Sequence, residues 1–374
     1  MKRINISQVD TVFSSGSYPI EFLFYFARPI STKRLRSGLR RLSPLFWPAF
    51  GEYRDGRIMF SRYREEDFFD EETVDREFNI REIEEPITEI LSRFALPELE
   101  RLFFLKAIRF RNGLVLLPKM SHLAGDGYSY FLFLSALAAL TRSSIVPFGT
   151  LFLRLALRPH HRRTALRDFL FQGEAPRPPR PQSPLTVTDA EIPRRDVQAV
   201  IREAVSAAGT RISANDVLSA LALKRFIQDG GFSRAGDIRL TIPIDVRGKV
   251  KEYGRGYFGN GLMFHTLTLK KESLQNSPSR EIAGEIRKSL PLLSRETYID
   301  YLKSLEETIS AGGLEELRPY DPERGCLVTN LSRLPLDKLD FGTGPPRLSI
   351  PLTVERNGAA ILAKGENYLL RYAC

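Results

Sequence analysis

The 374-residue chain is poor in the residues that usually anchor chemistry: it has two cysteines, Cys326 and Cys374, and four histidines. Two thiols cannot make a disulfide framework, and no Cys-x-x-Cys or His/Cys spacing of a metal site occurs, so no metal is expected. No apolar run reaches the ~18 residues of a membrane span. The opening MKRINISQVDTVF lacks the apolar centre and small-residue cleavage site of a signal peptide. These absences together set the expectation of a cytoplasmic protein with no integral membrane segment. There is also no Gly-x-Ser-x-Gly elbow for a serine nucleophile and no Walker A loop.

What the chain does contain is a real core. Hydrophobic residues make up 43% and aromatics 10% of it, enough for one large or two ordinary domains. The net charge of +10 favours anionic partners: nucleic acid, an anionic membrane surface or a phosphate-bearing small molecule. The basic residues are spread along the chain and no aromatic-plus-basic RNA motif accompanies them, so nucleic acid is not expected.

Local patterns predict strands and helices in mixed order. YPIEFLFYFARPI (18–30) reads as a strand, and Leu35, Leu39 and Leu42 predict a helix that runs from the N-cap Ser31 to about Ser43. Asp55–Gly56 predicts a hairpin turn, as does Asn112–Gly113 between strands at 103–110 and 114–120. The apolar stretch after residue 127 predicts a buried helix. A proline- and arginine-rich segment at 158–187 reads as a crossover. Beyond it, helices are expected at 193–208, 213–228, 279–293 and 297–312. Strands are expected at 238–246 and 261–269 and in the last fifty residues. Strict strand–helix alternation is absent, which argues for an α+β layout in two lobes, 1–157 and 188–374, joined by the crossover.

Against this background SHLAGDGYS (121–129) stands out. His122-x-x-x-Asp126-Gly127 follows the end of a strand, where an imidazole can project into a cleft between lobes. With an ordinary pKa near 6.5 it can take a proton from a hydroxyl or amine. A carboxylate four residues on can fix the turn by pairing with an arginine, and Gly127 permits a close approach. With four histidines, chance supplies about 0.014 such matches per chain. The pattern Gly254-x-Gly256-x-x-Gly259 formally fits a dinucleotide-binding loop, but a β-prone segment follows it instead of a helix, and that reading is rejected.

The His-x-x-x-Asp-Gly signature resembles that of the CoA-dependent acyltransferase superfamily, and LVTNLSRLPLDKLDFGTGPP (327–346) resembles the second signature of its BAHD branch, which runs into Asp-Phe-Gly-Trp-Gly. ISANDVLSALALKRF and IPIDVRGKV…YGRGYFGNGL resemble two further family segments, in the same order. The resemblance implies two similar chloramphenicol-acetyltransferase-like lobes with mixed sheets and a channel between them. It also implies transfer of an acyl group from acyl-CoA, a co-substrate and not a resident cofactor, to a small hydroxyl or amine acceptor. A monomer is the family expectation.

Carried over residue by residue, the resemblance makes His122 the general base and Asp126 a structural carboxylate followed by Gly127. It places Thr329 near the reacting carbonyl as a candidate oxyanion donor. Asp340 becomes a structural salt-bridge partner, with Arg247 as its expected mate. Asn260 falls near the channel. Lys249, Lys251 and Arg255 flank the loop before it and are candidates for contact with the phosphates of coenzyme A. No activated serine or cysteine is evident, so direct attack within a ternary complex is expected.

Two departures from the family pattern bear on the acceptor pocket: Thr343 and Leu331 stand where tryptophans are expected. Two alternatives stay open. One is a condensation- or wax-synthase-like enzyme that uses a carrier-protein donor or a long-chain alcohol. The other is a non-catalytic family member that binds an anionic ligand.

Overall fold

Alternating and continuous apolar runs become strands, and Leu/Ala-rich stretches become helices, in a computed structural model that describes residues 1–13, 19–79, 101–142, 159, 186–209, 211–230, 232, 236–313, 317–334, 336, 339–352 and 355–374. The first half runs β1 (Lys2–Asn5), α1 (Gln8–Thr11), β2 (Ile20–Phe26), α2 (Thr32–Leu42), β3 (Glu52–Arg54), β4 (Arg57–Phe60), β5 (Phe69–Thr73), β6 (Phe103–Phe110), β7 (Gly113–Met120) and α3 (Gly127–Arg142). The second runs β8 (Val187–Pro193), α4 (Arg194–Ala208), α5 (Ala214–Gln228), β9 (Asp237–Asp245), β10 (Leu262–Lys270), α6 (Lys271–Asn276), α7 (Ser279–Ser289), α8 (Arg295–Ser310), β11 (Gly325–Asn330), β12 (Leu348–Pro351), β13 (Gly358–Lys364) and β14 (Asn367–Ala373). Almost all of the expected crossover at 158–187 lies outside the described residues.

Among the described residues the strands form two large mixed sheets and a small one. One sheet has the order β12-β2-β7-β6-β5, the other β10-β9-β11-β13-β14-β8, and β1-β4-β3 makes the third. Each large sheet has its own core: α2 and α3 cover the first, while α4, α5 and α7 belong to the second. The fold is α+β in two lobes, as the sequence pattern implies. The lobes are not separate stretches of chain, however, because β12, from the second half, pairs with β2 of the first sheet. A third cluster joins Val9, Val12 and Phe13 near the N-terminus to Tyr253, Tyr257, Tyr298 and Leu302. The N-terminal turn is thereby bound to the second half.

Three local outcomes differ from or sharpen the expectations. The hairpin predicted at Asp55–Gly56 forms, and its two residues have φ of 50° and 69°, the left-handed pair of a type I′ turn. The other hairpin turns instead at Arg111–Asn112, since Phe110 pairs directly with Gly113. Gly113 is inside the strand because its backbone packs against a neighbour: a Cβ there would lie 2.2 Å from the Phe26 carbonyl oxygen. The helix expected to reach 293 stops at Ser289, because Leu290 precedes Pro291 and adopts an extended ψ of 127°.

The second sheet splits where the chain needs an opening. β9 and β11 pair only over Arg239–Thr241 and Gly325–Leu327. Beyond that, β9 continues with β10 and β11 continues with β13. Pro243, just past the last β9–β11 pair, has no N–H with which to extend the ladder. The gap that opens there faces the first sheet. Gly113→Ala is expected to drive the new methyl into the Phe26 carbonyl and lower stability by about 1–3 kcal/mol, the usual range for overpacking, measurable as a drop in urea midpoint with an unchanged m-value.

Candidate active site

A cavity of about 170 Å³ lies between the lobes, in the gap left by the diverging strands. Ile20 and Phe22 of β2, Phe13 and His122 line it from the first half. Pro243, Leu262, Phe264, Leu327, Thr329 and Leu331 line it from the second. The wall is mainly apolar, and His122 and Thr329 present polar groups to the same space from opposite lobes.

The loop that carries His122 connects β7 to α3. Asp126 caps α3: its Oδ1 accepts the Ser129 N–H at 3.0 Å and its carbonyl accepts the Tyr130 N–H at 2.9 Å. The same carboxylate takes both ends of one guanidinium, Arg247 Nη1 to Oδ2 and Nη2 to Oδ1, each at 2.9 Å. Gly261 N–H donates to Oδ2 at 2.8 Å. Burial alone would push the Asp126 carboxyl up, but Arg247 and these donors outweigh it and hold it below the usual range. Its side-chain oxygens are thus committed to Ser129, Arg247 and Gly261.

Arg247 spends its other donors on the backbone of the YFGNG loop: Nε on the Tyr257 carbonyl at 3.1 Å and Nη2 on that of Gly259 at 2.9 Å. Nη2 also donates to Ser129 Oγ at 3.0 Å and Nη1 to Asp245 at 3.0 Å. The guanidinium therefore clamps the His-x-x-x-Asp-Gly loop of one lobe to a loop of the other. Gly259 sits in this clamp with φ of 147°, where a side chain would strike Tyr257. The stretch from Gly254 to Gly259 leads into β10, which agrees with the rejection of a dinucleotide site.

The expected Arg247–Asp340 pair is not formed. Arg247 is taken by Asp126, the only one of the two carboxylates within its reach, and Asp340 faces Arg142 at the end of α3 at 3.7 Å. Asp340 Oδ1 accepts the N–H groups of Gly342 and Gly344 at 2.7 and 2.9 Å, which folds the Asp-Phe-Gly-Thr-Gly turn. Phe341 packs edge-on against Phe26 of the first sheet. Leu331, in a position where the family pattern has tryptophan, fills the space beside Gly127: a Cβ on that glycine would lie 3.3 Å from Leu331 Cδ2.

Asn260 is fully buried, and its Nδ2 donates to the His122 carbonyl and to Asp10 Oδ1, both at 2.7 Å. Lys249, Lys251 and Arg255 are exposed on the preceding loop and make no ion pair among the described residues. Thr329 lies on β11. The His122 ring stacks on Phe13 at 4.1 Å with the planes 9° apart, and its Nδ1 is buried without a hydrogen-bond partner. Nε2 is the ring nitrogen left to the cavity. Desolvation pulls the imidazole down to about 4, against upward pushes from the Asp126 charge and the Asn260 side chain.

The sequence reading missed Asp10, Phe13 and Ser129. Ser129 Oγ donates to the Gly259 carbonyl at 2.8 Å and accepts the Gly259 N–H at 3.0 Å. Only its place two residues past the motif glycine hinted at a role. Asp10 and Phe13 lie more than a hundred residues from His122, and nothing local marked them.

Removing one partner of the clamp should be far worse than removing both. Asp126→Leu or Arg247→Met is expected to cost about 3–5 kcal/mol by breaking a buried pair, whereas the double variant Asp126→Leu/Arg247→Met should recover part of that loss. Chemical denaturation of the four proteins measures the coupling directly.

Comparison with known proteins agrees with this geometry. Anthranilate N-benzoyltransferase protein 1 of Dianthus caryophyllus is 29% identical over 144 residues, 37% of this chain and 32% of that one. Piperamide synthase of Piper nigrum is 22% identical over 274 residues, 71% of this chain and 57% of its own. The aligned part thus spans about a third to somewhat over half the length of these relatives. Vinorine synthase superposes with a TM-score of 0.75 at 16% identity, covering 100% of this chain and 90% of that one. The TRI101 protein of F. sporotrichioides, solved with coenzyme A and T-2, gives 0.72 at 14% identity, covering 99% and 94%. The model of the Transferase family matches residues 78–367. The chain belongs to that family, the BAHD acyltransferases.

Proposed function

We propose that the protein transfers an acyl group from a CoA thioester to a hydroxyl or amine, with donor and acceptor held together in the inter-lobe cavity. The observation that carries this reading is His122, which lines an apolar cavity that it shares with Thr329 of the other lobe. The acceptor oxygen or nitrogen attacks the thioester carbonyl carbon as His122 Nε2 takes its proton. The carbonyl becomes an oxyanion, to which the Thr329 hydroxyl donates a hydrogen bond. Collapse breaks the carbon–sulfur bond, and the imidazolium returns its proton to the departing thiolate.

The apolar wall suits substrates with a hydrocarbon or aromatic body. Proximity in one site supplies much of the rate without a covalent intermediate. Lys249, Lys251 and Arg255, exposed and unpaired on the loop after Arg247, are available to the phosphates of coenzyme A. The molecule is read as a monomer that acts in the cytoplasm on free small molecules.

Incubation with acetyl-, malonyl-, benzoyl- and palmitoyl-CoA and a metabolite extract, followed by mass spectrometry of free CoA and new acyl products, tests this. Turnover of one donor that disappears in His122→Ala is expected; equal turnover in the two proteins would refute the role of His122. Thr329→Val should lower kcat by about 10²–10³-fold if its hydroxyl meets the oxyanion. The active form of His122 is neutral and its pKa is lowered to about 4. The acid limb of kcat/KM should therefore fall near pH 4, well below the ~6.5 of a free imidazole; a limb near 6.5 would contradict the buried, desolvated base.

A further inference from the structure

A base that presents Nε2 to its substrate must keep its own hydrogen on Nδ1, and the groups able to enforce this lie outside the His-x-x-x-Asp-Gly motif. Resting on the reading of His122 as the base, we propose that Asp10 and Asn260 form a positioning relay that holds His122 as the Nδ1–H tautomer.

The neighbours of the Asn260 amide settle its orientation. Nδ2 donates to Asp10 Oδ1 and to the His122 carbonyl oxygen, both at 2.7 Å. A carboxylate and a carbonyl accept only, so the flipped amide would turn its oxygen toward two acceptors. Oδ1 is therefore the remaining end, and it is buried with no hydrogen-bond partner. His122 Nδ1 is buried and unpartnered as well. These two unmatched atoms belong to side chains already joined through the His122 carbonyl. They are complementary in one state only, with the ring hydrogen on Nδ1.

Asp10 adds charge behind the amide. It is 1% exposed, and its Oδ2 accepts the Ser7 N–H at 2.8 Å while Oδ1 takes Asn260. A carboxylate on the N–H side of an amide polarises it and makes its oxygen a stronger acceptor. That favours Nδ1–H in the resting ring and steadies the imidazolium formed when Nε2 receives the acceptor proton. The Nδ1 hydrogen stays in place throughout. Phe13, three residues from Asp10, lies flat against the same ring, so one short N-terminal segment supplies both the surface under the imidazole and the charge behind it. The other ionisable groups near the ring are Asp126, which is locked to Arg247, and Glu21 and Glu355 on the cavity wall.

Two-bond ¹H–¹⁵N correlation spectra of histidine-labelled protein at pH 7 read the tautomer without any substrate. Four histidines give a simple spectrum, and His122→Ala assigns the signal. The relay predicts Nδ1–H for His122 in the native protein and a shift toward Nε2–H, the form preferred by free imidazole, in Asn260→Ala. Asp10→Asn keeps the shape and removes the charge. It should lower kcat by about 10–10²-fold with the acyl-CoA KM unchanged, a part of the ~10²–10⁴-fold of a whole general-base contribution, and move the acid limb of kcat/KM to lower pH. An Nε2–H ring in the native protein, or variants that change KM alone, would overturn the proposal. If Asn260→Ala does not fold, the native spectrum and Asp10→Asn decide. Full turnover in His122→Ala would sink the base assignment instead, and the tautomer measurement would still report on the relay.

Discussion

The buried guanidinium of Arg247 is the interaction on which the site depends. Its two ends grip Asp126 of the first half, and its remaining donors grip the backbone of the loop 257–261 in the second. Both side chains are almost wholly out of water, where an unpaired charge is costly and a fully bonded pair is sharply directional. The consequence is positional. Asp126 caps the helix that begins at Gly127, so the pair fixes the loop that carries His122 against the loop that carries Asn260. In this arrangement the motif aspartate serves geometry, and the histidine is left to the proposed proton transfer.

Around that clamp the cavity follows from simple strand behaviour. Parallel strands β9 and β11 separate after three paired residues, and a proline occupies β9 where further pairing would need a donor. The edges of the split belong to different pairings on either side, so it stays open without strain. Thr329 and Leu331 lie along one edge, and Pro243, Leu262 and Phe264 along the other. The N-terminal turn closes the near side by packing on the tyrosine cluster of the second half.

Much of this was legible in the sequence, for reasons that differ from segment to segment. The strands and helices follow from apolar periodicity and from caps such as Ser31, and the α+β class follows from their order. The Asn112–Gly113 turn was misplaced because the pair has a turn composition, whereas Gly113 is needed for a close approach to Phe26. The partner of Asp340 was misassigned for a related reason. A motif can say that a carboxylate is structural, but which arginine it meets depends on how the lobes pack. Asp126 reaches Arg247 first and leaves Asp340 to Arg142 and to its own glycine turn. Asp10 and Phe13 were not legible at all, since their roles exist only once distant segments of chain meet around the imidazole ring, and Ser129 was marked only by its place beside the motif.

The proposed chemistry requires His122 and Thr329, from different lobes, to act on one thioester. A crystal structure with a CoA analogue that carries a ketone in place of the thioester tests it most directly. The proposed chemistry predicts the ketone carbon in the inter-lobe cavity, with Thr329 Oγ1 within hydrogen-bond reach of its oxygen. It also predicts room for an acceptor atom roughly 3–3.5 Å from that carbon, on the side that faces His122 Nε2. An analogue bound with its ketone outside the cavity, or with the imidazole on one side of the site and no hydroxyl near the oxygen, would contradict it.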